Sequence, residues 1–421
     1  MTSRIGKRVI AVLASAFLCA AGAEAATTAL RVQLHGNGTL PAPGTKVPLK
    51  LPKTTAKAFP VENAGNDATP IYGKASVSPK VSAQSNMRAG STVTPMAYGN
   101  SSDKWPYSAS RVASSSASLG TSALENPVTA SPYRQTGLLL ADFIENGDLV
   151  TYQCTASLIM PNVLVTAAHC VQDYGLGSPG SAINVQWIPA NTGDPFDPSQ
   201  APFGVWQGKS FVISSSYALG TDTCARNAVG IVCNNDIALI SLYPQGSDKA
   251  AAILGDAYYY GWNGYSYIKS PAFKSLVVAD ITELGYPVAF DDGEQMQRNS
   301  SFGKYIAAKG AKTTTRKPLL NTQLGTPLTG GSSGGPWLVN FGTKPDIDPT
   351  YANLGNYNLQ NVVVGVTSYG YVTPGLNVQG ASFFGQNYEW PGAAYGIYGA
   401  GNIGGLMQYM CTTVDTDACL P

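Results

Sequence analysis

Two adjacent serines, Ser332 and Ser333, lie in the glycine-rich stretch TGGSSGGPW. A serine hydroxyl is a weak nucleophile near neutral pH, so it requires a neighbouring base that accepts its proton. Imidazole suits this task because its pKa lies close to neutrality. The chain has 2 histidines, His35 and His169. Because His35 lies in a polar N-terminal region, His169 in the stretch NVLVTAAHC is the candidate base.

A serine and a histidine also need a carboxylate that fixes the histidine tautomer and stabilises its protonated form. The candidate is Asp236 in NNDIALI, since it leads directly into an apolar run of strand length. An ordinary turn residue before a strand is the alternative. The glycines around the two serines let the backbone approach a substrate and aim successive N–H groups at one point. A flexible linker is the other interpretation of this stretch, but the strand-like PWLVNF follows it at once.

The elements that must position these residues are short strands. From about residue 133, apolar runs such as LVTYQCTASLIM, DIALISLY and NVVVGVTSYG are separated by Gly, Asn, Asp and Pro. This pattern is typical of an antiparallel barrel or sandwich and not of βαβ units. Roughly 290 residues are many for one barrel and suit two barrels packed together. A helix is expected near the C-terminus, around residues 403–410.

The charge balance bears on the partners. Charged residues make up 12% of the chain, and the formal net charge is +1. Such a chain has no strong field that would attract nucleic acid or an anionic membrane, so we expect neither partner. The acidic residues Asp291, Asp292 and Glu294 could hold calcium, but a solvated loop is the favoured interpretation.

Residues 1–25 have the parts of a secretory signal peptide. A basic start is followed by the apolar stretch Val9–Ala21 and by the small-residue pattern Ala23-Glu24-Ala25. The apolar stretch is short for a membrane-spanning helix, so an uncleaved anchor is the less favoured alternative. We expect cleavage after Ala25, a secreted product (extracellular or periplasmic) and no membrane contact after that cleavage.

Residues 26–131 differ in composition from the rest. They are rich in Ala, Ser, Thr, Pro and Lys, with stretches such as LPAPGTKVPLKLPKTTAK. A segment of this kind buries too little apolar surface to offset its ordering entropy. The composition predicts a propeptide or flexible leader, with a small folded domain as the alternative.

Export determines how the cysteines are interpreted, because disulfides form in oxidising compartments. The chain has 7 cysteines, and Cys19 leaves with the signal peptide. Zinc is the rival of disulfides for the remaining six, but the scarcity of histidine and the lack of a close CxxC pair favour disulfides. We therefore expect no metal and no cofactor. Several pairings are open, and the sequence-local one is favoured, namely Cys154–Cys170, Cys224–Cys233 and Cys411–Cys419.

The motifs TAAHC, NNDIAL and GSSGGP, in this order, resemble those of the trypsin/chymotrypsin-like serine proteases, particularly secreted microbial members. The resemblance covers roughly Gln135 to Met410 and includes CTASLIM ahead of the histidine motif. It implies an all-β fold, with two antiparallel six-stranded β-barrels and the active site in the cleft between them. The protease domain is expected at 132–421, with the first barrel at about 132–250 and the second at about 251–421.

The resemblance also implies the role of each site residue. Ser333, directly before Gly-Gly-Pro, corresponds to the nucleophile, His169 to the base and Asp236 to the orienting carboxylate. The backbone N–H groups of Gly331 and Ser333 correspond to the oxyanion hole, and the pairing of Cys154 with the cysteine after the histidine matches as well. A substrate would lie along the segment SYG, so the implied substrate-binding residues are Thr329, Ser368, Tyr369 and Gly370.

Ser332 stands where the animal members carry an aspartate that pairs with the N-terminus freed by activation. Ser332 cannot form that ion pair, so we expect no activation by this switch. No aspartate lies near Pro327 to hold Arg or Lys, and no histidine remains to hold Glu, which favours a small or apolar substrate side chain. The predicted function is a secreted, monomeric serine endopeptidase acting on proteins or peptides. A catalytically silent, protease-like binding protein is the alternative.

Overall fold

The computed structural model describes ten segments of the chain. The predicted signal peptide, His35 and most of residues 26–131 lie outside them. The described residues are 29–34, 70–71, 105–114, 127–224, 232–261, 278–308, 319–343, 359–371, 377–392 and 394–421.

Strands dominate the described residues, as the short apolar runs between turn residues predict. In chain order they are β1 (Ala29–Gln33), β2 (Pro70–Ile71), β3 (Tyr107–Arg111), β4 (Thr136–Glu145), β5 (Asp148–Met160), β6 (Val163–Thr166), β7 (Asn184–Pro189), β8 (Trp206–Ser214), β9 (Ala238–Leu242), β10 (Tyr259–Tyr260), β11 (Val278–Gly285), β12 (Gln297–Ala308), β13 (Leu319–Gly325), β14 (Pro336–Val339), β15 (Val362–Tyr371) and β16 (Val378–Phe383).

The first sheet is an antiparallel barrel. Within the described segments its path runs β8-β7-β4-β5-β6-β9, and the pairing of β8 with β9 closes it. Closure leaves no edge of unpaired backbone groups, which suits strands as apolar as these. Leu138, Val165 and Leu239 are fully buried in its core. The barrel therefore supplies a rigid base for the residues that follow β6 and precede β9.

The second sheet has the same design. For the residues that the structure describes, its path runs β15-β14-β11-β12-β13-β16 and closes through the antiparallel pairing of β15 with β16. Ile281, Trp337 and Val364 are buried in its interior. The fold is therefore the pair of six-stranded antiparallel barrels that the family resemblance implies.

Three strands come from the predicted leader. β1 pairs with β8 of the first barrel, β3 pairs with β12 of the second, and β2 pairs with β15 at Gly370 and Tyr371. These short stretches are therefore parts of the two sheets. Removal of residues 26–131 as a propeptide, and the proposed domain boundaries, stay predictions.

The α-helices of the described chain are short. They are α1 (Ser215–Ala218), α2 (Ala250–Leu254) and α3 (Gly401–Tyr409), and α3 coincides with the helix predicted at 403–410. Asn402 attaches α3 to the end of β16, since its Oδ1 accepts from Gly385 N at 3.0 Å and its Nδ2 donates to Phe383 O at 3.2 Å.

In the segments that the structure covers, no helix has the length and apolar character needed to cross a membrane.

The structure contains three disulfides, and they join the cysteines that lie nearest in sequence. Cys154–Cys170 links β5 to the short helix that carries His169. Cys224–Cys233 lies just before Asp236, and Cys411–Cys419 closes the C-terminus behind α3. Two of these cross-links therefore flank the candidate site.

Candidate active site

His169 and Asp236 leave two neighbouring strands at the same end. β6 and β9 are antiparallel, with Thr166 opposite Ala238, so the end of β6 adjoins the start of β9. His169 follows β6 in the 3-10 helix Ala168–Cys170, and Asp236 comes just before β9. This sequence order brings the two side chains together, with His169 Nδ1 at 2.8 Å from Asp236 Oδ2.

Asp236 is fully buried and accepts hydrogen bonds from three donors. Besides the ring contact, His169 N donates to Oδ1 at 2.8 Å and Ser368 Oγ donates to Oδ2 at 2.5 Å. These donors replace the water that a buried carboxylate has lost. A carboxylate only accepts, so Nδ1 of the neutral imidazole carries the hydrogen and Nε2 keeps its lone pair. The Nε2 atom of His169 is therefore the ring nitrogen that can accept a proton.

The second barrel brings Ser333 to this pair on a turn, residues 328–334, called the oxyanion loop below. Thr155 N donates to Ser333 O at 2.8 Å, and Cys170 Sγ lies 3.7 Å from the same oxygen. Gly334 has a φ of +79°, and a Cβ there would overlap Thr166 Oγ1, so only glycine fits this close approach. Ser333 thus lies against the residues that flank His169.

The two serines of the loop differ in environment. Ser332 is fully buried, and its Oγ donates to Thr329 O at 2.5 Å. Gln379 Nε2 donates to Ser332 Oγ at 3.1 Å and to Leu328 O at 2.7 Å. Ser333 is partly exposed. The accessible hydroxyl is therefore that of Ser333, while Ser332 anchors the loop internally without any charge.

The Gly330–Gly331 and Ser332–Ser333 peptides are each held by a hydrogen bond to the carbonyl group, and their N–H groups can therefore bind another acceptor. The carbonyl preceding Gly331 N, on Gly330, accepts from Val288 N at 2.9 Å, and the carbonyl preceding Ser333 N, on Ser332, accepts from Gly335 N at 2.8 Å. Because N–H and C=O point in opposite directions in a trans peptide, both N–H groups point away from these anchors. Among the backbone hydrogen bonds of the described residues, neither N–H donates.

The predicted substrate-binding residues lie on two walls. Thr329 is on the oxyanion loop, where its Oγ1 accepts from Ala289 N at 3.1 Å. Ser368, Tyr369 and Gly370 lie on β15. The Ser368 hydroxyl is engaged by Asp236, and the Tyr369 hydroxyl accepts from Gln323 Nε2 at 2.9 Å. Both hydroxyls are therefore engaged within the protein.

Gln379 lies between these two walls. It pairs across the sheet with Gly370, and its side-chain amide binds Leu328 and Ser332 on the loop side. Its side chain is buried. The uncharged Gln379 side chain therefore joins β15 to the loop that carries Ser333.

A buried carboxyl group lies behind the β15 wall. Burial raises the pKa of Glu283 to about 7, and hydrogen bonds from Thr326, Thr367 and Asn299 partly oppose that shift. Thr367 Oγ1 donates to Glu283 Oε1 at 3.1 Å and accepts from Trp337 Nε1 at 2.9 Å. Since Thr367 directly precedes Ser368, Glu283 supports the strand that holds Asp236.

Two further carboxyl groups contact Asn235, the residue directly before Asp236. Asn235 N donates to Asp222 Oδ2 at 2.8 Å, and Asn235 Nδ2 donates to Glu389 Oε2 at 2.5 Å. Burial and the neighbouring Glu389 raise the pKa of Asp222 well above its ordinary value. The two carboxyl groups thus hold Asn235 from both sides and fix the start of the turn that carries Asp236.

Two groups of side chains have the composition of metal ligands. Cys154 and Cys170 converge on His169, and Cys224 and Cys233 converge on Asp222. In both groups the cysteines are joined in disulfides, so their sulfurs are not the thiolates that bind metal. His169 Nδ1 is also engaged by Asp236. The donor chemistry of these two groups does not fit a metal ion.

Two closed antiparallel barrels that bring a buried histidine–aspartate pair to a glycine-framed serine define a chymotrypsin-like fold. The family model described as Trypsin matches residues 132–382, which is more than half of the chain. The chain therefore belongs to the trypsin family of serine proteases.

Among solved structures, the protease Anisep from Arthrobacter nicotinovorans is similar at a TM-score of 0.41 and 20% identity, over 60% of this chain and 91% of that chain. The thermostable serine protease AL20 from an extremophilic microorganism is similar at a TM-score of 0.41 and 23% identity, over 60% of this chain and 92% of that chain. The fold assignment rests on the strand pairings and not on these likenesses.

A curated relative, the extracellular metalloprotease of Bacillus subtilis (strain 168), is 34% identical over 97 residues. The aligned part is 23% of this chain and 27% of that protein, so the chain matches about a quarter of that relative's length.

Three residues that shape the site were not predicted from the sequence. Thr155, Val288 and Gln379 hold the oxyanion loop from outside it. The sequence offered a signal for Thr155, because it follows Cys154 directly in the motif CTASLIM. Val288 acts through its backbone, and Gln379 comes from a distant strand, so neither leaves a pattern near the loop.

Proposed function

We propose that this trypsin-family chain is an active serine endopeptidase in which Ser333 is the nucleophile. The observation that carries the proposal is the buried His169–Asp236 pair next to the turn that presents Ser333. In the proposed mechanism, Ser333 Oγ attacks a peptide carbonyl while His169 Nε2 takes its proton. His169 then protonates the leaving amine, and water hydrolyses the acyl-enzyme by the reverse route. Asp236 stays ionised and steadies the imidazolium.

The oxyanion of each tetrahedral intermediate is held by the N–H groups of Gly331 and Ser333. Support comes from the anchoring of the Gly330 and Ser332 carbonyls, which sets both N–H groups before a substrate binds. Donors that are oriented in advance need no reorganisation during the reaction, which is why they stabilise a transition state effectively.

The preferred substrate residue before the scissile bond is proposed to be small or apolar. The support is that Thr329, Gly370 and Gln379 carry no charge, and that Gln379 pairs with Gly370 and binds the Leu328 carbonyl on the loop. An acidic or basic substrate side chain would lose its hydration there without meeting an opposite charge.

Secretion is part of the proposal. It is supported by the signal-like start of the sequence and by three disulfides, which persist in oxidising compartments. The proposed partners are protein or peptide substrates, and the proposed state is a monomer.

The test is hydrolysis of peptides and of a denatured protein by the secreted enzyme and three variants. Ser333→Ala and His169→Ala should each lower kcat by about 10³-fold or more. Ser332→Ala is the matched serine control and should keep kcat within about tenfold, since Ser332 is buried and Gln379 still binds the loop at the Leu328 carbonyl without that hydroxyl. Persistent turnover in Ser333→Ala would contradict the proposal. A folded wild type that binds peptides without turnover would favour the silent binding protein instead.

A further inference from the structure

Thr155 lies on β5 of the first barrel and contacts the oxyanion loop of the second barrel twice. Its N–H donates to Ser333 O at 2.8 Å, and its Oγ1 donates to Gly331 O at 2.8 Å. The same hydroxyl accepts from Tyr286 N at 3.1 Å. Thr155 is fully buried, so it supports the loop from behind without a place in the substrate cleft.

The hydroxyl contact differs in kind from the other anchors. Each carbonyl of residues 330–333 accepts a hydrogen bond. Three of the donors are backbone N–H groups, on Val288, Gly335 and Thr155, which any residue except proline supplies. The donor to Gly331 O is a side chain. This anchor therefore depends on which residue occupies position 155.

The anchored peptide lies between the two that supply the proposed oxyanion donors. Gly331 has a φ of +95°, a region that glycine enters freely, so its backbone resists rotation weakly. Rotation of the Gly331–Ser332 peptide changes the angle between the N–H groups of Gly331 and Ser333. The Thr155 hydroxyl opposes this rotation at the carbonyl end, while Ser332 N donates to Thr329 O at 3.2 Å at the other end.

We propose that Thr155 is a positioning residue whose hydroxyl aligns the oxyanion hole, so that the first barrel sets the geometry of the second. The inference rests on the proposed peptidase function. Loss of the hydroxyl should weaken binding of the transition state, because the oxyanion hole is filled only there. It should change substrate binding little, because Thr155 does not contact the substrate.

The experiment compares wild type with Thr155→Val, which keeps the shape and loses the hydroxyl, and Thr155→Ser, which keeps the hydroxyl. In Thr155→Val we expect kcat to fall about 10- to 100-fold with KM within about threefold. The affinity for a peptide boronic acid, whose tetrahedral adduct fills the oxyanion hole, should fall by a similar factor, while the affinity for a product peptide stays. Thr155→Ser should keep kcat within about threefold.

The matched control is Thr136→Val, since Thr136 is buried in the same barrel and its hydroxyl contacts Tyr258 OH at 3.1 Å, away from the site. This variant should lose stability but keep kcat. If Thr155→Val does not fold, Thr155→Ala carries the same test.

Three outcomes would overturn the inference. A folded Thr155→Val variant with unchanged kcat would contradict the role of Thr155 and leave the proposed peptidase function intact. Failure of both hydroxyl-free variants to fold, beside an active Thr155→Ser, would assign the hydroxyl to folding. A wild type without turnover would contradict the proposed function first and the inference with it.

Discussion

Asp236 holds His169 through both of its carboxylate oxygens, with Oδ2 bound to the ring Nδ1 and Oδ1 bound to the backbone N–H, each at 2.8 Å. The two contacts fix the ring plane and the position of its backbone together. Since a carboxylate accepts only, they also fix the hydrogen on Nδ1. Nε2 thereby keeps its lone pair, as the proposed role of His169 as the base for Ser333 requires.

Replacement of the Asp236 carboxylate by an amide is predicted to move the ring hydrogen of His169 from Nδ1 to Nε2. Asp236→Asn can donate a hydrogen bond to Nδ1, which favours the hydrogen on Nε2 and blocks proton uptake from Ser333. We expect kcat to fall by about 10⁴-fold with a small change in KM, measured by steady-state peptide hydrolysis. Asp142→Asn is the control, since Asp142 is a buried carboxylate of the same barrel that binds Thr151 and Asn184. Similar losses in both variants would contradict a specific role for Asp236.

The Ser368 hydroxyl is predicted to support Asp236 more modestly. Its 2.5 Å bond to Oδ2 is one of three that stabilise the buried carboxylate. Ser368→Ala should lower kcat about three- to tenfold, in line with the loss of one hydrogen bond to a charged group. Ser382→Ala is the control, because Ser382 Oγ contacts the backbone N of Asp236 at 3.1 Å and not the carboxylate. An equal loss in Ser382→Ala would assign the effect to the turn.

Activity is predicted to be independent of a free N-terminus. Ser332 is anchored by Thr329 and Gln379, neither of which is charged. Acetylation of the mature N-terminus, or its extension by two residues, should therefore leave kcat/KM within about twofold. Gln379→Met is the comparison variant. It removes the side-chain amide that binds the loop while keeping a similar size, so it should lower kcat/KM. A loss of activity on acetylation would show that an ion pair with the N-terminus orders the loop after all.

Stability is predicted to depend on pH through Glu283. Its pKa of about 7 in the fold exceeds the ordinary 4.5, so the folded state binds more protons between these values. Stability should fall as the pH rises from about 4.5 to about 7, by about 3 kcal/mol from this group, and then level off. Glu283→Gln should flatten that slope relative to wild type in urea unfolding at pH 5 and pH 8.

The control for this prediction is Asp148→Asn, an exposed carboxyl group on the first barrel. It should leave the pH slope unchanged. If Glu283→Gln kept the wild-type slope, Glu283 would be ionised in the fold throughout this range.

The motifs predicted much of the fold and site because their residues lie close together in sequence. The stretch from β6 to His169, the turn from Asp236 to β9 and the glycines around Ser333 are local patterns with local consequences. The short apolar runs predicted an antiparallel barrel or sandwich for the same reason, while the length of the region and the family resemblance predicted two barrels.

The supports of the oxyanion loop were beyond such prediction. Thr155, Val288 and Gln379 come from three strands or loops far apart in sequence, and their hydrogen bonds reach backbone carbonyls that carry no residue identity. The pairing of β1 and β3 with the barrels was missed because each strand has only 5 residues and lies in a region rich in Ala, Ser, Thr, Pro and Lys. Edge strands need only backbone hydrogen bonds to join a sheet.

The most direct test of the central claim is mass analysis of the secreted enzyme after treatment with a fluorophosphonate probe. We predict a single adduct that maps to Ser333, with no adduct on Ser332, and loss of labelling in His169→Ala. A folded, leader-free enzyme that stays unlabelled, or that is labelled on Ser332, would contradict the assignment of Ser333 as the nucleophile.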